Sequence, residues 1–318
     1  MSIQALHSRA DGRDELVDLA AWEPHDIPRD ELLWVDLVDP TEEELQVAAR
    51  ALRMDQHTCD VMREEPGRPD AHVLAEAVQV VVLTPGPKPE DEPVPLAVLM
   101  GDEWVVTCHP VPIGYLDEHR ERVQDEREVG LLTPVQFLAS VLDWHIDAFF
   151  RVAETLEAEV DRLDDAALRT DRDLLQRLVG MRRRIARTRR LLVAHRELFA
   201  EIRRPDFFPG IEPAEADTLR AVAQRLDVAT EAVANVREML IGTFDVHMTR
   251  TAQRTNDIMK VLTWVSVILL PAGVLAGVMG MNFKLGFFDD PSMFWVVLVV
   301  MLLIAGVTLS LGRWRRWL

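Results

Sequence analysis

Eight residues near the C-terminus recur at alternating steps of three and four: Asn256, Met259, Thr263, Ser266, Leu270, Gly273, Gly277 and Gly280. On a helix this spacing is one face, and that face carries an amide, two hydroxyls and three glycines through an otherwise apolar run. Lipid does not reward Asn256, Thr263 or Ser266. Small residues on one stripe allow helices to approach closely, and polar groups turned to a bundle interior suit a water-filled path. On the residues alone both readings stand. The stripe runs into the stretch GVMGMNFKLGFFDD, residues 277–290, where Gly280, Met281 and Asn282 are followed by Lys284, Asp289 and Asp290. A plain connector needs only polar turn residues, and this stretch is more specific than that.

Other chemistry is scarce. The chain shows no HExxH, no phosphate-binding glycine loop and no nucleophile elbow, so the reading is not an enzyme. Cys59 and Cys108 are the only cysteines and form no CxxC pattern, which argues against a disulfide framework or a structural zinc. Cys108 beside His109 could be half a metal site, but a buried cysteine at a strand end is preferred. His145 and Asp147 lie two apart on a predicted helix and so face different ways. A formal net charge of −18 disfavours nucleic acid and suits cations or simple solubility. No cofactor is expected.

The stripe needs a helix in a membrane. Residues 261–283 and 291–312 contain no charged side chain. Each run is about as long as a helix crossing roughly 30 Å of hydrocarbon. Arg250, Arg254 and Lys260 precede the first run, and Arg313, Arg315 and Arg316 follow the second. Basic residues stay on the cytoplasmic side, so both termini are expected inside and the short loop outside. The N-terminus lacks an apolar leader and is expected in the cytosol. One hairpin has too little wall to enclose a pore, so transport would require an oligomer. Ahead of the first run no proline occurs between Pro213 and Pro271, and the segment is rich in helix formers. A single helix from there to Gly280 would hold roughly 67 residues and reach about 100 Å. Continued toward the N-terminus, its stripe passes Ala252 and Thr249 to Asp245.

The rest of the chain reads as α+β. LLWVDLV, AEAVQVVVLT, VPLAVLM and EWVVTCH are predicted strands, with Gly101-Asp102 as a hairpin turn. Thr41 and Glu44 have capping-box spacing, so the acids of TEEEL start a helix rather than bind metal. Thr133-Pro134 opens a helix reaching about Ala167, and a second one, roughly 172–203, turns back on it. The basic run MRRRIARTRR in the second helix is expected to be solvated or neutralised by Glu157, Glu159 and Asp161 on the first. The expected segments are an α/β domain (1–132), a helical hairpin (133–210), a stalk (211–257), a first span (258–281), an outer loop (282–291), a second span (292–312) and a basic tail (313–318).

TNDIMKVLT, then Pro271, then AGVMGMNF, then a second span ending in RWRRWL, resembles the CorA family of divalent cation channels. The Gly-Met-Asn triplet is that family's signature. WVDLVDPTEEEL extends a weaker likeness to the N-terminal domain. The resemblance implies a funnel-shaped homopentamer in the cytoplasmic membrane, with one pore lined by the first span of each subunit. Magnesium, and possible companions cobalt or nickel, would be substrate, and cytosolic magnesium a regulator. The resemblance further implies that Asn282 supplies a ring of carbonyls, Gly280 and Met281 shape the turn, Met259 and Leu262 form an apolar constriction, and Asn256 lines the pore below it. It implies a regulatory metal at Asp245, for which Glu90, Asp91 and Glu92 of a neighbouring subunit are candidate partners. Lys284 stands where the family often has an acid, Gly273 where threonine is common and Leu270 where methionine is. These departures leave open a ZntB-like zinc transporter coupled to protons. A membrane-anchored scaffold that conducts nothing is the reading from another class.

Overall fold

The apolar run Leu32–Val38 lies inside a sheet, with neighbours on both sides. It is buried along almost its whole length, as a strand covered on both faces must be. The computed structural model describes residues 3–10, 14–22, 27–28, 30–63, 67–86, 91–125, 132–168, 173–204, 206–208, 210–281 and 292–314. Among these, strands β1 (Ile3–Ser8), β2 (Asp14–Val17), β3 (Leu32–Val38), β4 (Asp70–Val73), β5 (Val78–Thr84), β6 (Val94–Met100) and β7 (Trp104–His109) form one sheet in the order β2-β1-β3-β7-β6-β5-β4. The β3–β7 pair is parallel and every other pair antiparallel. The four predicted strands and the hairpin at Gly101 are present, with the Gly101 amide donating to the Trp104 carbonyl at 2.9 Å. Strands β1, β2 and β4 were not expected from the sequence.

Helices α1 (Glu42–Ala51), α2 (Gln56–Arg63) and α3 (Gly114–Asp125) belong to the same part of the chain. Thr41 caps α1 in a full capping box with Glu44, as its spacing predicts. The acids of TEEEL therefore start a helix. Thr133 does the same for α4 (Pro134–Ala167) with Gln136, and Pro134 occupies the first turn, where a missing N–H costs nothing. α5 (Leu174–Glu201) returns along α4, with Phe149 against His195 and Glu159 against Arg184. Leu142, Phe149 and Leu156 of α4 and Ile185, Leu192 and Phe199 of α5 are buried.

The chain divides into two compact units, Met1–Thr243 and Phe244–Leu318. One helix, α6 (Pro213–Met279), belongs to both; its 67 residues match the length read from Pro213 to Gly280, and it runs on through Pro271. α7 (Ser292–Trp314) completes the second unit. The foot of α6 is tied down by polar contacts to α4 and its cap. Thr133 donates to Glu215, which is buried, and Arg225 pairs with both Asp143 and Asp147 of α4. The acids four apart and the arginine opposite them were the signal in the sequence, and it went unread.

Candidate ion path along the long helix

Within α6 the span residues are exposed. Met259, Leu262 and Leu270 each show more than half of their surface, and the run from Ile258 to Val278 is predominantly exposed and apolar. So much apolar surface in water would favour association, and soluble monomers rarely carry such a face. Among the described residues α6 is the one helix long and apolar enough to cross a membrane, and Phe294–Thr308 of α7 is a shorter apolar helix.

The predicted stripe lies on this helix. Thr263 Oγ1 donates to the Met259 carbonyl at 2.8 Å, and Ser266 Oγ donates to the Leu262 carbonyl at 2.9 Å. The hydrogens are thus used inside the helix, leaving oxygen lone pairs as acceptors. Such acceptors suit the water shell of a cation. A Cβ on Gly273 or Gly277 would meet nothing within 4 Å in this chain. These glycines leave room for a neighbouring surface. At the end of the helix the Gly280 amide bonds the Ala276 carbonyl at 2.9 Å, and the Met281 amide bonds the Val278 carbonyl at 3.2 Å. The second bond is three residues back, a tightening common in a last turn. Asn256 lies on α6 and is exposed. Asn282, Lys284, Asp289 and Asp290 lie outside the described residues, as does Glu90.

Asp245 is exposed on α6 in the second unit, while Asp91 and Glu92 belong to the first. Among the described residues no group of three His, Cys, Asp or Glu side chains could hold a metal ion. His109 bonds Asp36 at 3.0 Å and the Val111 carbonyl at 2.6 Å. Cys108 is only partly exposed, and burial pushes its thiol up to about 11. His145 is fully buried while Asp147 turns to Arg225, so the two point apart as expected.

Sequence reading missed two buried polar clusters because their members are far apart in the chain. Asp36 accepts from Thr107 at 2.5 Å and from Arg120 at 2.5 Å, and its His109 contact completes a knot joining β3, β7 and α3. A buried carboxylate so surrounded is satisfied, and its role is to hold the sheet to the helix. His145 and His195 lie with ring centroids 4.8 Å apart. His195 Nε2 accepts from the Leu83 amide at 3.0 Å, and its Nδ1 donates to the Leu191 carbonyl at 2.7 Å, so the ring is neutral. Burial pushes the His195 imidazole down to about 4, and burial, followed by the repulsion a proton would meet from neighbouring His195, holds His145 well below the usual histidine range.

Comparison with known proteins follows the same lines. The family model described as CorA-like Mg2+ transporter protein matches residues 29–311. The cobalt/magnesium transport protein CorA of Thermotoga maritima is 29% identical over 209 residues, 64% of this chain and 58% of that protein. That of Methanocaldococcus jannaschii is 24% identical over 304 residues, 90% of this chain and 92% of that protein. The complete structure of the CorA magnesium transporter from Methanocaldococcus jannaschii superposes with a TM-score of 0.83 at 21% identity, covering 98% of each chain. At that identity the likeness is one of fold, and it spans the sheet, the helical hairpin and the long helix together. With the family model covering most of its length, this chain belongs to the CorA-like Mg2+ transporter family.

Proposed function

We propose that the chain is one subunit of a homopentameric channel passing magnesium across the cytoplasmic membrane, with both termini in the cytosol. The observation that carries this reading is the exposed apolar stretch of α6 marked by a seven-residue repeat of polar and small residues. Five such helices, one from each copy, would turn that stripe to a common axis. Met259 and Leu262 form an apolar constriction that closes by shedding water, with Asn256 on its cytosolic side. Ser266, Leu270, Gly273 and Gly277 line the path above it. Gly280 and Met281 end the helix so that Asn282 sits at the outer mouth. Magnesium gives up its waters reluctantly, and a ring of neutral amide oxygens can read the hydrated ion without trapping it. Lys284, Asp289 and Asp290 set the charge of the outer loop. Asp245 and a neighbour's Glu90, Asp91 and Glu92 form the regulatory site, where bound magnesium screens the acids and holds the subunits closed.

Flux into proteoliposomes tests the reading. Magnesium entry that is independent of a pH gradient is the expected result, with cobalt and nickel entry measured beside it. Zinc entry that needs a proton gradient, without magnesium entry, would replace the channel by a coupled zinc transporter. No entry of any divalent ion into vesicles holding assembled protein would leave a scaffold.

A further inference from the structure

The basic run of α5 is neutralised by α4 at Arg184 and exposed at Arg182, Arg189 and Arg190, within the two alternatives its sequence offered. Arg184 pairs with Glu159 as expected, but among the described residues no ion pair involves Arg182, Arg189 or Arg190. These three arginines and Arg237 of α6 line a groove of about 390 Å³. Among the described residues Arg237 pairs only with the adjacent, exposed Glu238. The floor is apolar and includes Ile185 and Leu240. In a chain of net charge −18, arginines gathered round an apolar floor repel one another until an anion joins them.

The missing acids are on another face of the same hairpin. Glu154, Glu157, Asp161 and Asp164 of α4 are all exposed and follow steps of three, four and three, which is one helix face. Among the described residues none of them has an ion-pair partner. Their height matches that of the groove. The Arg184–Glu159 pair fixes the register of the antiparallel helices. Two residues from that pair, Arg182 is level with Asp161; five residues the other way, Arg189 is level with Glu154. Both spacings are seven residues, or about 10 Å.

We infer that the arginine groove of each copy receives the acidic α4 face of the next copy around the ring. This rests on the pentameric reading above. Two helix faces of opposite charge with the same seven-residue spacing can pair along their length. These are level and opposite in charge. The contact is heterologous, with groove on one side and stripe on the other, and it closes when the ring does. Small Ala186, between the two arginines, leaves space for the aliphatic stem of Glu157.

Full-length protein carrying Arg189→Cys and Glu154→Cys tests this in its native membrane. Mild oxidation should give a ladder of two to five chains on a non-reducing gel, at least tenfold above either single-cysteine variant. Arg182→Glu with Arg189→Glu should lower the pentamer fraction in detergent several-fold, and adding Asp161→Arg with Glu154→Arg should restore it. Chains that remain single, or close only on themselves, while the assembled protein still passes magnesium would overturn the contact and leave the channel reading intact. Protein without these changes that neither assembles nor conducts would overturn the channel reading and this contact with it. Pentamers indifferent to both charge reversals, with no ladder, would assign the groove to another anion and overturn the proposal.

Discussion

At the scale of the residue, the fine division of labour rests on a few polar atoms. Replacing Asn282 by alanine removes the amide oxygen but leaves the apolar spans and the arginine groove untouched. Asn282→Ala is expected to keep the oligomer on size-exclusion chromatography and to lose selective magnesium uptake. Unchanged selectivity in an assembled mutant would remove the amide ring from the mechanism. The buried histidines predict a pH effect. His195 folds neutral, with its imidazole pushed down to about 4 against an ordinary value of 6.5. The unfolded chain takes up the proton first as pH falls. Stability is therefore full above about pH 6.5, declines as pH drops toward about 4, and levels off below, by an amount on the order of 3 kcal/mol from this residue. His195→Gln offers the Leu83 amide an acceptor and does not titrate. Thermal unfolding of the detergent-solubilised variant should show a shallower dependence across that window, and an unchanged slope would exclude His195.

At the scale of the element, the proposed channel asks α6 to be both lipid-compatible and closely packed. Gly277 leaves its surface open to a neighbour, and leucine there would hold two helices apart. Gly277→Leu is expected to reduce the pentamer fraction and magnesium uptake together, while the fold of the first unit, followed by circular dichroism, stays as it is. Normal assembly in this variant would show that the stripe is not a helix contact. The same helix shows what could be read in advance. Its length followed from the proline-free, helix-forming run after Pro213 and the glycine at 280, and its stripe followed from a period any reader can count. The caps at Thr41 and Thr133 were equally legible, since capping is local chemistry. Strands β1, β2 and β4 were not. β2 and β4 are short edge strands, half-exposed, and β1 mixes polar with apolar residues, so pairing rather than pattern makes them strands. Asp36 with Arg120, and His145 with His195, were illegible for a related reason: each depends on which elements meet.

At the scale of the whole molecule, gating is expected to couple Asp245 to the state of the ring. Asp245→Asn should weaken inhibition by internal magnesium and spare permeation. Current recorded against internal magnesium decides this, and an inhibition curve that does not move would separate Asp245 from control of the channel. A last consequence concerns protons. A hydroxyl relays a proton only when it can release one as it accepts another. Thr263 and Ser266 have their hydrogens engaged by carbonyls of their own helix. In the proposed pore they would offer lone pairs to a hydrated cation, with their own hydrogens already engaged rather than free to relay a proton. Vesicles loaded with a pH-sensitive dye should therefore fill with magnesium at constant internal pH.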